Sequence, residues 1–261
     1  MLRLQRSRLL PLSVLLVSSI AAADAVRPRI SIIIDDLGND QRRGERAIAL
    51  DGPLAYAVLP GTPRAVALAE LAHSRGREVL LHLPLQAEED AGTETGNGLV
   101  LDMSRRQFSR AVSESLDAVP HLSGVNTHRG SLLTRHPGHM SWLMEDLREH
   151  GGLYFVDSYT TARSVALGIA REQGVPSLKR DVFLDPDRDP STVRREFERL
   201  KSVARRRGYA VGIGHPYTET LDFLAVALPL LEADGIDLVP VSRLIEGMYA
   251  VNGQPAMTAG E

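Results

Sequence analysis

Ile30-Ser31-Ile32-Ile33-Ile34 is a nearly unbroken β-branched run without alternation, the pattern of a strand buried on both faces. It ends in Asp35-Asp36-Leu37-Gly38. A second apolar run, Leu54 to Leu59, closes on Pro60-Gly61. Thr62-Pro63 predicts a helix start with Thr62 as N-cap and Pro63 at the first helical position; Ala65, Leu68, Ala69, Leu71 and Ala72 supply its apolar stripe. Glu78 to Leu83 predicts a third strand, running into His82-Leu83-Pro84. The polar stretch Gln86 to Asn97 predicts a long surface loop, a kind of segment that is often functional. Ser104 with Gln107 forms a capping box for a helix down to Val119.

Gly124-Val125-Asn126 predicts a short strand leading into Thr127-His128-Arg129-Gly130. Pro137 to His150 predicts a helix carrying the single tryptophan, Trp142, and ended by Gly151-Gly152. Leu153 to Val156 predicts a strand ending at Asp157-Ser158, followed by a helix to about Gln173. Val182-Phe183-Leu184 predicts a brief strand. Asp189-Pro190 starts a basic, polar-faced helix to about Arg207. Tyr209 to Ile213 predicts a strand ending at Gly214-His215-Pro216. Thr218 to about Ala233 predicts a helix, Ile236 to Val239 a last strand, and Ser242 the cap of a final short helix.

Strand and helix alternate throughout, with no internal repeat and no interdomain linker. That predicts an α/β fold with a parallel sheet covered by helices. Seven or eight such units fit a (β/α) barrel or a distorted version of it; a doubly wound open sheet is the alternative. No glycine-rich phosphate loop follows the first strand, which disfavours dinucleotide binding.

The first residues read differently. Arg3, Arg6 and Arg8 precede an uncharged apolar run from Leu9 to Ile20, and Ala21, Ala22 and Ala23 offer a small-residue cleavage site. This is the three-part pattern of a secretory signal peptide, here 1–25. The run is shorter than the roughly 20 residues that span a bilayer; an uncleaved anchor is the alternative. The expected organisation is a leader (1–25), one barrel domain (26–250) and a frayed tail (251–261). The domain is expected to work in the bacterial periplasm, without a stable membrane span once the leader is cleaved.

Composition narrows the chemistry. The 261 residues are 43% hydrophobic and 24% charged, ordinary for a globular protein and unlike a disordered chain or a multi-span membrane protein. The formal net charge is −3, so no broad basic field argues for nucleic acid. There is no cysteine, which excludes thiolate metal sites and cysteine nucleophiles. Any metal must be held by His, Asp or Glu.

Polar residues gather at the predicted strand ends: Asp35 and Asp36, His82, Asn126 and His128, Asp157 and Ser158, and His215. In a parallel α/β fold these ends share one face, so residues far apart in sequence converge on one cleft. Singly, each has a plain structural reading. Adjacent aspartates make turns or caps, and a histidine at a strand end is commonly a hydrogen-bonded core residue. Two aspartates closing a wholly apolar strand, however, need partners. The basic stretch Arg194 to Arg207 reads as a solvated helix face. One carboxylate with two imidazoles is an open zinc set. A second carboxylate can take a proton from water, and a histidine across the cleft can donate one to a leaving group.

Five segments carry a resemblance. They are Ile34-Asp35-Asp36-Leu37-Gly38, Leu81-His82-Leu83-Pro84-Leu85-Gln86, Gly124 to Ser131, Phe155-Val156-Asp157-Ser158 and Gly212-Ile213-Gly214-His215-Pro216. In this order they resemble the divergent polysaccharide deacetylase family, from about Arg29 to about Glu246. The resemblance implies a deformed (β/α) barrel. It also implies a metal-dependent hydrolase that removes acetyl groups from cell-wall glycan, acetylated polysaccharide or peptidoglycan. The implied catalytic residues are Asp35 as general base and His215 as general acid. The implied ligands of a divalent metal, zinc in the first instance, are Asp36 and His82, with His128 proposed as the remaining one. Asn126, Arg129, Asp157, Ser158 and Gln86 are the candidate substrate-binding residues.

Three departures stand out. Gln86 replaces the second histidine usual in the wider superfamily. The Asn126 to Ser131 segment replaces an arginine-proline motif. Tyr159 follows Ser158 where a tryptophan is usual. A second expectation is therefore an inert glycan-binding or cell-wall regulatory protein on the same fold.

Overall fold

The structure is a computed structural model that describes residues 27–90 and 98–251. The expected leader, the part of the predicted polar loop over 91–97, and the tail from Asn252 lie outside the described residues. The strands are β1 (Arg29–Leu37), β2 (Ala55–Val58), β3 (Glu78–Leu85), β4 (Leu122–Arg129), β5 (Tyr154–Asp157), β6 (Ser177–Lys179), β7 (Val182–Phe183), β8 (Tyr209–Gly214) and β9 (Asp237–Leu238). The α-helices are α1 (Gln41–Ile48), α2 (Ala65–Ser74), α3 (Arg105–Asp117), α4 (Pro137–His150), α5 (Ala166–Glu172), α6 (Pro190–Arg207), α7 (Thr218–Ala227) and α8 (Val241–Val251).

Eight parallel strands in the order β6-β5-β4-β3-β2-β1-β8-β7 form a curled half-barrel, and β9 pairs with the start of β1. This is the deformed (β/α) barrel expected from the strand–helix alternation. Between β6 and β7 the ladder is interrupted. There the chain itself crosses: the Arg180 N–H donates to the Asp157 carbonyl, and the Asp181 N–H to the Val211 carbonyl, both at 2.9 Å. Among the described residues no helix is long and apolar enough to cross a membrane.

The continuous apolar strands follow from burial on two sides. Ile30, Ile32 and Ile34 belong to the large cluster that also holds apolar residues of the covering helices. Ile33, Leu80, Val156, Leu178 and Ile213 form a second cluster with Val241, Leu244 and Ile245 of α8. The polar interruption, Ser31, is fully buried, and its hydroxyl donates to the Val239 carbonyl at 2.6 Å.

Several local expectations are corrected. Thr62 does not cap α2, which starts at Ala65 after Arg64. Its hydroxyl donates instead to the Leu59 carbonyl, within a turn also tied by Arg64 N–H to the Gly38 carbonyl. α3 stops at Asp117, and α7 stops at Ala227, where a short 3-10 turn containing Pro229 takes over. β4 runs on through Arg129, so Asn126 and His128 lie within the strand and not past it. β6 and the short polar helix α1 went unassigned, because neither has an apolar stretch long enough to register. Capping by Ser104 with Gln107, and by Asp189 on α6, is as expected.

Ser242 does not cap α8, because the helix already starts at Val241. The cap comes from Glu78 at the start of β3, whose carboxylate accepts from Val241 N–H (2.8 Å), Ser242 N–H (3.1 Å) and the Tyr154 hydroxyl (3.1 Å). A helix N-terminus leaves N–H groups that need acceptors. Glu78→Ala is expected to lower stability by about 1–3 kcal/mol, read from the denaturant midpoint at unchanged m-value.

Candidate active site

The site extends the inner face of the sheet. Side chains on a strand alternate, so residues two apart share a face. Asp35 stands two past Ile33, His82 two past Leu80, Ser158 two past Val156, Arg180 two past Leu178 and His215 two past Ile213, all inner-cluster positions. Asn126 and His128 follow the same rule along β4. Apolar residues thus pack the barrel interior, and polar ones follow at its mouth.

Asp36 breaks the alternation. It has φ +59°, in the left-handed region, and the β1–β2 register slips between Ile34 and Leu37. Such a bulge turns the strand and re-aims a side chain. It brings Asp36 to the same cluster as Asp35, where a regular strand would send the two to opposite faces. Left-handed backbone at a residue with a Cβ is strained, and such strain collects at functional sites.

Asp36 Oδ1, His82 Nε2 and His128 Nδ1 form a near-equilateral triangle. The separations are 3.2 Å between Asp36 and His82, 3.1 Å between Asp36 and His128, and 3.1 Å between the two imidazoles. Donor atoms sharing one tetrahedral zinc stand about 3.3 Å apart, by the bond lengths typical of N and O ligands. The tautomers fit as well. The Asn126 amide donates to Asp35 Oδ1 at 2.7 Å, so its oxygen faces His82 Nδ1 at 2.8 Å. Nδ1 must carry the hydrogen there, which leaves Nε2 free to ligate. Asp36 Oδ1 is buried and faces both imidazole nitrogens. The three residues suit a divalent metal.

Electrostatics agree. Burial works to raise the Asp36 carboxyl, but hydrogen bonds from His128 and His82, with the charge of His82 and His215, hold it well below the ordinary carboxylate range. Asp35 is pushed up by burial, against the pull of His82, His215 and Asn126. Burial works to lower His82, yet Asp35 and Asp36 raise it.

His215 is held from behind. Its Nδ1 donates to Asp185 Oδ1 at 2.9 Å, and its backbone N–H to Asp185 Oδ2 at 2.7 Å; the Thr220 hydroxyl also donates to Oδ2 at 2.7 Å. Burial works to lower the His215 imidazole, but the Asp185 carboxylate raises it above its ordinary value, aided by Asp35 and Asp36. Removing that charge must reverse the shift. In Asp185→Asn, the His215 ring is expected to titrate at lower pH than in the wild type, as followed by NMR of its ring protons.

Asp35, His82, His128, Arg129, Ser158 and His215 all line one cleft of about 340 Å³. The other candidate substrate contacts are engaged elsewhere. Asn126 is fully buried, and both ends of its amide serve Asp35 and His82. Asp157 is buried and accepts from Tyr159 N–H at 2.8 Å and the Ser164 hydroxyl at 2.7 Å. Gln86 Oε1 accepts from Leu101 N–H at 2.9 Å, tying the loop after β3 to the chain that follows it. Arg129 pairs with Glu89 at 3.1 Å and Asp90 at 2.8 Å.

Residues not marked in the sequence include Arg180 and Thr127, which line the cleft, and Asp185, which backs His215. The period-two rule finds Arg180 once β6 is recognised at Leu178, and Asp185 from Phe183 on β7. Thr127 lacks such a signal.

Residues 32–245 match the divergent polysaccharide deacetylase family. The chain belongs to that family. A curated relative from Haemophilus influenzae, called an uncharacterized protein, is 37% identical over 227 residues, covering 87% of this chain and 80% of its own. The crystal structure of an uncharacterized protein from Agrobacterium tumefaciens C58 matches with TM-score 0.80 at 24% identity, over 85% of this chain and 91% of that one. The catalytic domain of a peptidoglycan N-acetylglucosamine deacetylase from Eubacterium rectale shares the fold at TM-score 0.50 and 14% identity, covering 82% and 89%. A mutant of a CE4 family pseudoenzyme with restored enzymatic activity does so at TM-score 0.50 and 14% identity, covering 84% and 68%. In this member of the family, Gln86 serves the loop, and the third donor of the triangle is His128 on the neighbouring strand.

Proposed function

We propose that this protein is an exported, periplasmic, metal-dependent hydrolase that removes N-acetyl groups from cell-wall glycan. The observation that carries the reading is the Asp36–His82–His128 triangle, with a buried carboxylate and an Asp-backed imidazole lining the same cleft. The leader-like first 25 residues support export.

Asp36, His82 and His128 would hold the metal, zinc in the first instance; when bound, it supplies Lewis acidity toward an acetyl carbonyl and lowers the pKa of water. Asp35, its carboxyl raised by burial, takes the proton from the attacking water. The water oxygen joins the acetyl carbon and the carbon–nitrogen bond breaks. His215, kept protonated by Asp185, gives its proton to the departing amine nitrogen. The products are acetate and a free amino sugar, and no covalent enzyme intermediate is needed.

The test is acetate release from N-acetylated glycan oligosaccharides by the zinc-loaded protein. Release that disappears in Asp35→Asn while metal content stays stoichiometric supports the reading. A second reading, a non-hydrolytic glycan-binding protein, is favoured by Gln86 standing where the wider superfamily has a metal-binding histidine. Glycan binding without acetate release from any N-acetylated oligosaccharide would select it.

A further inference from the structure

The cleft holds unused hydrogen-bond donors that metal chemistry does not require. Ser158 Oγ is buried and has no partner among the described residues, and Ser158 lines the cleft. An unpaired buried hydroxyl is costly, a cost that a bound ligand relieves.

Arg180 lies beside Ser158. Its Nε donates to the Ser158 carbonyl at 2.6 Å and one terminal nitrogen to the Tyr159 carbonyl at 3.0 Å. Among the described residues its guanidinium meets no carboxylate at ion-pair distance. Burial pushes it down, against the more distant pull of Asp35 and Asp157. A half-buried cation with no carboxylate at ion-pair distance favours an incoming anion.

Arg180 and Phe183 also line an adjoining hollow with Tyr159, Lys179 and Arg199. The Lys179 amine sits 4.0 Å from the centre of the Tyr159 ring and meets no carboxylate among the described residues. The acids of that hollow are occupied: Asp181 accepts from Val211 N–H and pairs with Arg207, and Glu196 pairs with Arg195 and Arg199. The hollow lies at the seam between β6 and β7, where the barrel is open.

We propose that Arg180 and Lys179, with the free hydroxyl of Ser158, form a subsite for a carboxylate carried by the glycan. The preferred substrate is then an N-acetylated glycan with an acidic substituent close to the acetamido group, and a neutral chitin-like chain is a poorer one. This rests on the deacetylase reading for the identity of the ligand as a glycan.

The test uses a peptide-free oligosaccharide of alternating N-acetylglucosamine and N-acetylmuramic acid, and the same sugar with its lactyl carboxylates methyl-esterified. Binding is measured by calorimetry and acetate release in parallel, on the zinc-loaded full-length protein. The wild type is expected to bind the acid about tenfold more tightly than the ester, the scale of one charge-assisted contact. Lys179→Gln is expected to cut that ratio to about threefold or less with ester binding unchanged, and 0.5 M salt to narrow it further by screening. Lys179 is half-exposed at the end of an edge strand, so this variant is expected to fold. Equal binding of acid and ester, binding of neither, or a ratio unmoved by Lys179→Gln overturns the subsite. A charge preference in binding without acetate release keeps the subsite and overturns the hydrolase. Acetate release indifferent to the ester keeps the hydrolase and overturns the subsite.

Discussion

The Asp36→Ala protein is expected to lose stoichiometric divalent metal and to release acetate on the order of 10³-fold more slowly than the wild type, since a metal supplies several kcal/mol of charge stabilisation to such chemistry. Asp36 contributes the one carboxylate of the triangle, through a buried oxygen that faces both imidazoles. Its removal leaves two neutral imidazoles and no anionic ligand. Folding is expected to survive, because Asp36 is partly exposed and alanine there removes no apolar packing. Elemental mass spectrometry of the purified protein, with circular dichroism as the folding control, reads both parts. Full metal content in Asp36→Ala would dismiss the triangle as the metal site.

Asn126→Leu is expected to have the second-largest effect, and on two quantities at once. The substitution keeps the approximate volume and removes both polar ends. Asp35 Oδ1 and His82 Nδ1 then lose their shared partner in a fully buried place. Two orphaned buried groups, one of them charged, cost about 2–5 kcal/mol of stability. His82 also loses the acceptor that fixes its tautomer, which typically weakens metal affinity about 10–100-fold. Urea unfolding of the metal-free protein gives the first number, and a competitive metal titration the second. A loss of stability with unchanged affinity would mean that Asn126 serves packing and Asp35 alone.

These variants separate what the chain's pattern makes legible from what it hides. The apolar runs Ile30–Ile34, Leu54–Leu59 and Tyr209–Ile213 locate strands because burial on both faces demands continuous apolar residues. Asp35, His82 and His215 are legible because they follow such runs by alternation. β6 was not legible: a strand of three residues, Ser177–Lys179, is too short to show a period, and Arg180 vanished with it. Thr62 and Ser242 look like caps because hydroxyl residues before a helix commonly are. The acceptor on α8 is instead Glu78, 163 residues earlier in the chain. No local pattern reports an acceptor supplied by a neighbouring strand.

Sequence by itself determined the fold class, the order of the longer strands and helices, and the face on which the polar residues collect, because alternation and burial are properties of each segment taken alone. Tertiary structure decided which of those residues meet. The bulge at Asp36 turns it to join His82, and the pairing of β3 with β4 sets His128 beside them. Asn126 is drawn away from the cleft to bridge Asp35 and His82, and Asp185 comes behind His215 from a different strand. Each of these depends on distances between segments far apart in the chain, which only the folded sheet fixes.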